Sequence, residues 1–333
     1  MAGTVVVIGA TGPLGRRVTG LLAAAGTEVR SLAAAPRDLV SELDGASALV
    51  HLGRPLRASH VLDGTGLGAA DEPTTARLLE AAVAASVDRV VWLSTAMVYG
   101  AWPDNPIPLT ETARARPNPG LRDAEEKGDR DRQVVAWAAE HPDVSVVVLR
   151  PAVTVGGDNG RWLTRSPWKP RGVRPADADA PSQFVHVDDV AAAVALAATS
   201  SMRGVYNVAP DGWIPAEQLR ALCAPGPRVH LPAGVADRLA RLRWRVGLSG
   251  TPPAVLPYTR HPWVVANDRL RSAGWEADYA NDEAFVVADV GGFVATLNPR
   301  RRQLLSLGAV GAVAAALVGV VTWLVLRRSR RVG

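Results

Sequence analysis

The opening stretch of the chain constrains its fold more than any other. Thr4-Val5-Val6-Val7-Ile8 is a continuous β-branched run, the pattern of a strand buried on both faces of a parallel sheet. Gly9-Ala10-Thr11-Gly12-Pro13-Leu14-Gly15 follows at once, and Arg16 to Ala25 reads as a helix. Each glycine has a physical task in that setting. Gly9 allows a tight turn, Gly12 lets backbone approach a pyrophosphate, and Gly15 lets helix and strand pack closely, with the helix N-terminus facing the phosphates. A glycine triplet alone is weak evidence, whereas strand, triplet and helix in direct succession point to a dinucleotide. The loop contacts expected for it come from Gly9, Thr11, Gly12, Pro13, Leu14 and Gly15.

The alternation continues along the chain. Thr27–Leu32, Ala46–Leu52, Asp88–Leu93 and Val144–Leu149 read as further strands, and Thr74–Ala85 and Arg130–Glu140 as helices. Such alternation predicts an α/β fold with a doubly wound parallel sheet of the Rossmann type. Ligands in these sheets bind beyond the carboxyl ends of the strands, where the glycine loop already lies. The expected organisation is an NAD(P)-binding domain over residues 1–155, its sheet completed by parts of 183–210, and a smaller substrate-side lobe over 156–299. The second strand ends in Val29-Arg30-Ser31-Leu32-Ala33-Ala34-Ala35-Pro36-Arg37, with no acid to accept the ribose hydroxyl of NAD. Arg30 or Arg37 would suit the phosphate of NADP, and each reads equally as a solvated surface residue, so NAD and NADP both stay open.

Charge settles a different question. The 333-residue chain carries a formal charge of +5, which invites a nucleic-acid reading. Residues 300–333 hold seven arginines and no acid, leaving 30 bases against 32 acids in residues 1–299. The body is therefore nearly neutral, which argues against binding duplex phosphate by charge, and no nucleic-acid partner is expected. The basic tail brackets residues 304–326, which are 23 residues without a charge. As a helix they would span roughly 34 Å at ~1.5 Å per residue, enough for a hydrocarbon core of ~30 Å. With arginines at both ends and Trp323 near one interface, a single C-terminal transmembrane helix is expected. No basic, cleavable segment precedes Thr4, so the large N-terminal part is expected on the cytoplasmic side of the membrane. Gly308, Ala312 and Ala316 recur at four-residue spacing. That stripe suits a homodimer packed through the span and equally suits ordinary apolar filler.

Several stretches, in order, resemble the extended short-chain dehydrogenase/reductases of the NAD-dependent epimerase/dehydratase family. They are the glycine loop, Leu49-Val50-His51-Leu52-Gly53, Leu78-Leu79-Glu80-Ala81-Ala82, and Leu93-Ser94-Thr95-Ala96-Met97-Val98-Tyr99-Gly100. Leu149-Arg150-Pro151-Ala152, Phe184-Val185-His186-Val187-Asp188-Asp189-Val190 and Asn267–Trp275 follow, so the resemblance covers about residues 4–290. It implies hydride transfer between a nicotinamide and a hydroxyl- or carbonyl-bearing carbon of a small-molecule substrate, nucleotide sugars among them. It also implies a catalytic Ser/Thr, Tyr and Lys, the last two separated by three residues on one helix. Tyrosine moves the proton, lysine lowers its pKa and holds the nicotinamide ribose, and Ser/Thr hydrogen-bonds the reacting oxygen. Thr95 matches the Ser/Thr position, Lys127 the lysine, and Leu52 and Pro151 join the glycine loop among the cofactor contacts.

The departure is at the tyrosine. Four residues before Lys127 stands Asp123, and no tyrosine occurs between Tyr99 and Tyr206. An aspartate titrates near ~3.9 against ~10 for tyrosine, and a neighbouring lysine lowers it further, so at neutral pH it has no proton to give. Asp123 and Lys127 also read as a helix-surface ion pair within a dense mixed-charge segment. A catalytically silent dinucleotide-binding sensor or scaffold is therefore an alternative to an enzyme. No metal is expected, because the lone Cys223 makes no cluster and His186, Asp188 and Asp189 lack a further ligand pair. Asp189-Val190-Ala191-Ala192 reads instead as a helix start. Residues 156–182 show little periodicity, and Asp237–Gly247, with Arg238, Arg241, Arg243 and Arg245, suits either an ordinary lobe helix or a basic helix on anionic lipid.

Overall fold

The apolar runs become strands of one parallel sheet, and their two-residue period divides the core into two layers. A computed structural model describes residues 3–53, 75–156, 172–175, 179–222, 228–246 and 253–289. In chain order these form β1 (Thr4–Ile8), α1 (Pro13–Ala24), β2 (Val29–Leu32), α2 (Leu39–Leu43) and β3 (Ala46–His51). α3 (Thr75–Ala84), β4 (Arg89–Leu93), α4 (Arg122–Glu140), β5 (Ser145–Pro151) and β6 (Val153–Val155) follow. The later elements are β7 (Gly172–Pro175), β8 (Phe184–His186), α5 (Val187–Thr199), β9 (Gly204–Val208), α6 (Ala216–Leu222) and β10 (Arg228–Leu231). Helices α7 (Ala233–Arg245), α8 (Pro257–Arg260), α9 (Asp268–Ser272) and α10 (Asn281–Asp289) complete them. All described residues belong to one unit, 1–289.

The main sheet has the order β2-β1-β3-β4-β5-β9 and every pairing in it is parallel. Val5 and Val7 point to one face, where they meet Val50, Val91, Val147 and helices α1 and α5 through Val18, Leu22, Val190 and Val194. Val6 and Ile8 point to the other, against Leu39, Leu43, Leu78, Leu79 and Val134 of α2, α3 and α4. Burying each of these side chains contributes about 1.5–3 kcal/mol. Strand order reverses direction between β1 and β3, and at such a switch point the two following loops diverge and leave a crevice. The glycine loop leaves β1 and Leu52-Gly53 leave β3, so both flank that crevice.

Three elements differ from the sequence expectation. α4 begins at Arg122, eight residues before the predicted Arg130, and so contains Lys127 rather than following it. Its early turns bury Ala124, Gly128 and Asp131, a face of small and polar residues that carries no apolar periodicity. Gly172–Pro175, inside the stretch read as irregular, forms β7 and pairs in parallel with β10. The arginine-rich helix begins at Ala233, four residues earlier than expected. The expected span 304–326 lies outside the described residues, among which no helix is long and apolar enough to cross a membrane.

Candidate cofactor and active-site cleft

One cleft at the switch point gathers most of the residues singled out in the sequence. Gly9, Gly12, Pro13, Leu14, Gly15, Leu52, Thr95, Lys127 and Pro151 all line it. Thr11 and Asp123 do not border it: Thr11 is exposed, and Asp123 is half-buried in the first turn of α4. Ser94, Met97, Val153, Thr154 and Val190 line the cleft without having been foreseen.

The glycine wall has the geometry an anion needs. Gly9 adopts φ +90°, a left-handed conformation that favours glycine. A Cβ on Gly15 would stand 2.3 Å from Gly9 O and 2.5 Å from the Ala10 backbone, so helix and strand touch there only because it is absent. Gly12 differs. A Cβ there would find its nearest protein atom 3.6 Å away, so the missing side chain leaves room on the cleft side and serves no packing. The first helical hydrogen bond of α1 runs from Arg16 N–H to Gly12 O at 3.0 Å. The amides of Leu14 and Gly15 precede it and remain free of helical partners, with the positive end of the helix behind them. These residues fit the pyrophosphate of a dinucleotide.

The opposite wall comes from β4 and α4. Thr95, 7% exposed, caps the turn Ala96–Tyr99, and its Oγ1 accepts from Met97 N–H at 3.3 Å. Because that bond uses the oxygen as acceptor, the hydroxyl hydrogen stays available to donate into the cleft. Capping and a functional role thus coexist at Thr95. Ser94, 3% exposed, has an Oγ with no hydrogen-bond partner. Lys127 lines the cleft, and among the described residues it has no hydrogen-bond or ion-pair partner. The Asp123–Lys127 surface pair, one of the two readings of this lysine, is therefore not formed.

A buried ion pair aims the lysine. Asp131, one turn beyond Lys127 on α4, receives Arg150 Nε at 2.9 Å and a second bond from Arg150 Nη2. Burial disfavours the guanidinium charge, but the hydrogen bonds and charge of Asp131 outweigh it, so the pKa of Arg150 is raised. The same guanidinium stacks 4.8 Å from the centre of the Tyr99 ring. Helix α4 is thereby fixed to β5 beside Pro151, with Lys127 toward the cleft. Neither tyrosine near this wall borders it. Tyr99 donates to Asn207 Oδ1 at 2.8 Å and Tyr258 donates to Met97 O at 2.9 Å. Burial raises the pKa of both, most strongly at Tyr258.

The other tempting clusters have structural tasks. His186 caps α5, its Nδ1 accepting from Asp188 N–H at 3.4 Å, while Asp188 pairs with Arg17 of α1. Asp189 accepts from Asp278 and Tyr279 N–H at 2.8 and 3.3 Å, and burial raises its pKa. No group of potential metal ligands occurs among the described residues. Arg30, a candidate for the phosphate of NADP, donates instead to the carbonyls of Glu42 and Asp44, and Arg37 is exposed.

Comparison with known proteins agrees with this geometry. An uncharacterised protein of Mycobacterium tuberculosis is 30% identical over 205 residues, covering 61% of this chain and 54% of the relative. The chain thus spans about half the length of that relative. A 3-diazoavenalumate denitrifying reductase of a Streptomyces species is 31% identical over 313 residues, covering 82% of this chain and 95% of the relative. Two solved structures share the fold at 19% identity, each covering 86% of this chain and 97% of the other. They are the Thermus thermophilus UDP-glucose 4-epimerase with NAD, at a TM-score of 0.60, and RMD of Pseudomonas aeruginosa with NADPH, at 0.61. The NAD dependent epimerase/dehydratase family matches residues 5–209, and with the glycine cradle, Thr95 and Lys127 meeting in one cleft, the chain belongs to that family.

Proposed function

We propose that the protein is a membrane-tethered NAD(P)-dependent oxidoreductase or epimerase whose hydride step takes no proton from a tyrosine. The observation that carries this reading is the convergence of the glycine loop, Thr95 and Lys127 on one cleft that no tyrosine borders among the described residues. Bound there, the nicotinamide supplies or accepts hydride. Leu14 and Gly15 amides would hold the pyrophosphate and Lys127 the nicotinamide ribose, and Thr95 would donate a hydrogen bond to the reacting oxygen of a hydroxy, carbonyl or nucleotide-sugar substrate, that oxygen exchanging its proton with bulk water. The name of the Streptomyces reductase suggests a further substrate class for which no phenol is needed. When hydride forms a C–H bond at a diazonium carbon, the C–N bond breaks, its electron pair leaves on dinitrogen, and no proton moves. The tether is residues 304–326, with the cleft on the cytoplasmic side, and the small-residue stripe there would serve a homodimer.

The second reading is a silent dinucleotide-binding sensor or scaffold, favoured by Asp123 standing in the tyrosine position outside the cleft. Fluorescence titration of the full chain with NADH and NADPH tests the ground common to both, and no binding of either overturns both. Given binding, stereospecific deuteride transfer from labelled cofactor to a diazo or carbonyl substrate supports the enzyme. A silent protein transfers none, and gains slow turnover of carbonyl compounds only as Asp123→Tyr. Recovery of the full chain in the soluble fraction after expression in a bacterial cell would count against the tether.

A further inference from the structure

Helix α7 carries a surface that the cofactor cleft does not use. Val235, Arg238, Leu242 and Arg245 follow one another at three- and four-residue steps and so form a single stripe along it. Val235 is 48% exposed, Leu242 58% and the following Val246 55%, and Arg238, Arg241, Arg243 and Arg245 are exposed beside them. The opposite side of the helix faces the protein through Ala236. Asp237, the helix's only acid, is turned to Arg260, which donates to it at 2.7 and 3.0 Å. That pair removes the acid from the exposed face and leaves Arg238, Arg241 and Arg245 there with no carboxylate of the helix between them.

We propose that this face of α7 docks on the surface of an anionic bilayer. Guanidinium groups at that surface meet lipid phosphate, and Val235, Leu242 and Val246 enter the boundary between headgroups and acyl chains. The combination selects this occupant. A protein partner that matched the arginines with carboxylates would leave three large aliphatic side chains opposed to charge, whereas anionic lipid offers phosphate and hydrocarbon within a few ångströms of depth. The inference rests on the described helix alone and goes beyond the tether, because it sets which face of the domain meets the membrane.

The test uses the full chain carrying Cys223→Ser and Leu242→Cys, labelled with an environment-sensitive fluorophore. Vesicles of phosphatidylcholine with phosphatidylglycerol are expected to shift its emission to the blue, high salt to reverse the shift, and neutral phosphatidylcholine to leave it unchanged. Combining Arg238→Gln, Arg241→Gln and Arg245→Gln is expected to raise the lipid needed for a half-maximal shift by about 100-fold, at about fivefold per charge removed. The melting temperature should be unchanged, since these side chains are exposed. The same label at Leu21→Cys, an exposed site on α1, serves as control. An equal response in neutral vesicles, an equal response at position 21, or a shift produced by polyglutamate and not by anionic vesicles overturns the proposal. Flotation of the chain with neutral vesicles reports the tail separately, so failure of the tether and failure of the α7 surface are distinguishable.

Discussion

The two walls of the cleft come from different parts of the chain and have kept different things. The wall of β1 and α1 retains each feature a pyrophosphate needs: the left-handed Gly9, the close approach at Gly15, the open side of Gly12 and two amides free of helical partners. The wall of β4 and α4 retains a hydroxyl and an ammonium group at the cleft, but the position that the family resemblance assigns to a phenol is an aspartate that does not line it. Dinucleotide binding and proton transfer are therefore separable properties of this architecture. Backbone geometry underlies the first, and one side chain decides the second.

The sharpest way to break the comparison is within the glycine wall. Gly15→Val should prevent folding, since its Cβ would meet Gly9 O at 2.3 Å, and little soluble protein is expected. Gly12→Val should fold with a near-native melting temperature yet lose dinucleotide binding by at least about 100-fold, or ~2.7 kcal/mol. If Gly12→Val binds normally, the pyrophosphate lies elsewhere. Next in size, Asp131→Ala should destabilise the protein by about 3–5 kcal/mol in chemical denaturation, because it leaves Arg150 charged and buried without its partner. Replacing both, as Asp131→Leu with Arg150→Met, should recover much of that loss.

Lys127→Ala should leave stability within about 0.5 kcal/mol, since the ammonium has no partner among the described residues. Dinucleotide affinity should still fall about tenfold by calorimetry, or ~1.4 kcal/mol. Unchanged affinity would assign the lysine to the solvated face of α4. The smallest effect concerns Tyr258, whose pKa is raised by burial. A tyrosine that keeps its proton when folded stabilises the fold fully below the ordinary value near ~10, and that stability is lost as pH rises above it. Thermal melts from pH 9 to 11 should therefore fall more steeply for the native chain than for Tyr258→Phe. At neutral pH the variant should lose about 1 kcal/mol with the hydrogen bond to Met97 O.

What was legible in the sequence follows from how each element is stabilised. Strands such as Val90-Val91 and Val146–Leu149 are buried on both faces and read as apolar runs. The glycine loop was legible because phosphate binding there depends on the absence of side chains. The first turns of α4 were not. Ala124, Gly128 and Asp131 give no hydrophobic period, and Asp131 is buried because it meets Arg150, 19 residues away on a strand. Such a pairing exists only once the sheet has formed. Ser94 lay in the same stretch as Thr95 but had no distinguishing feature until its burial was known. β7 escaped notice because, among the described residues, its four residues find a strand partner only in β10.

The spacing of Asp131 and Lys127 bears on how such a protein can change over time. The aspartate that holds α4 to the sheet is needed for stability whether or not the protein performs chemistry, and it holds the lysine toward the cleft one turn earlier. Selection for a folded chain alone would thus preserve the placement of position 127 toward the cleft, while the lysine itself is kept only by what it binds. Aspartate and tyrosine codons differ at a single base, so a lineage with this arrangement stands one mutation at position 123 from placing a phenol on that helix.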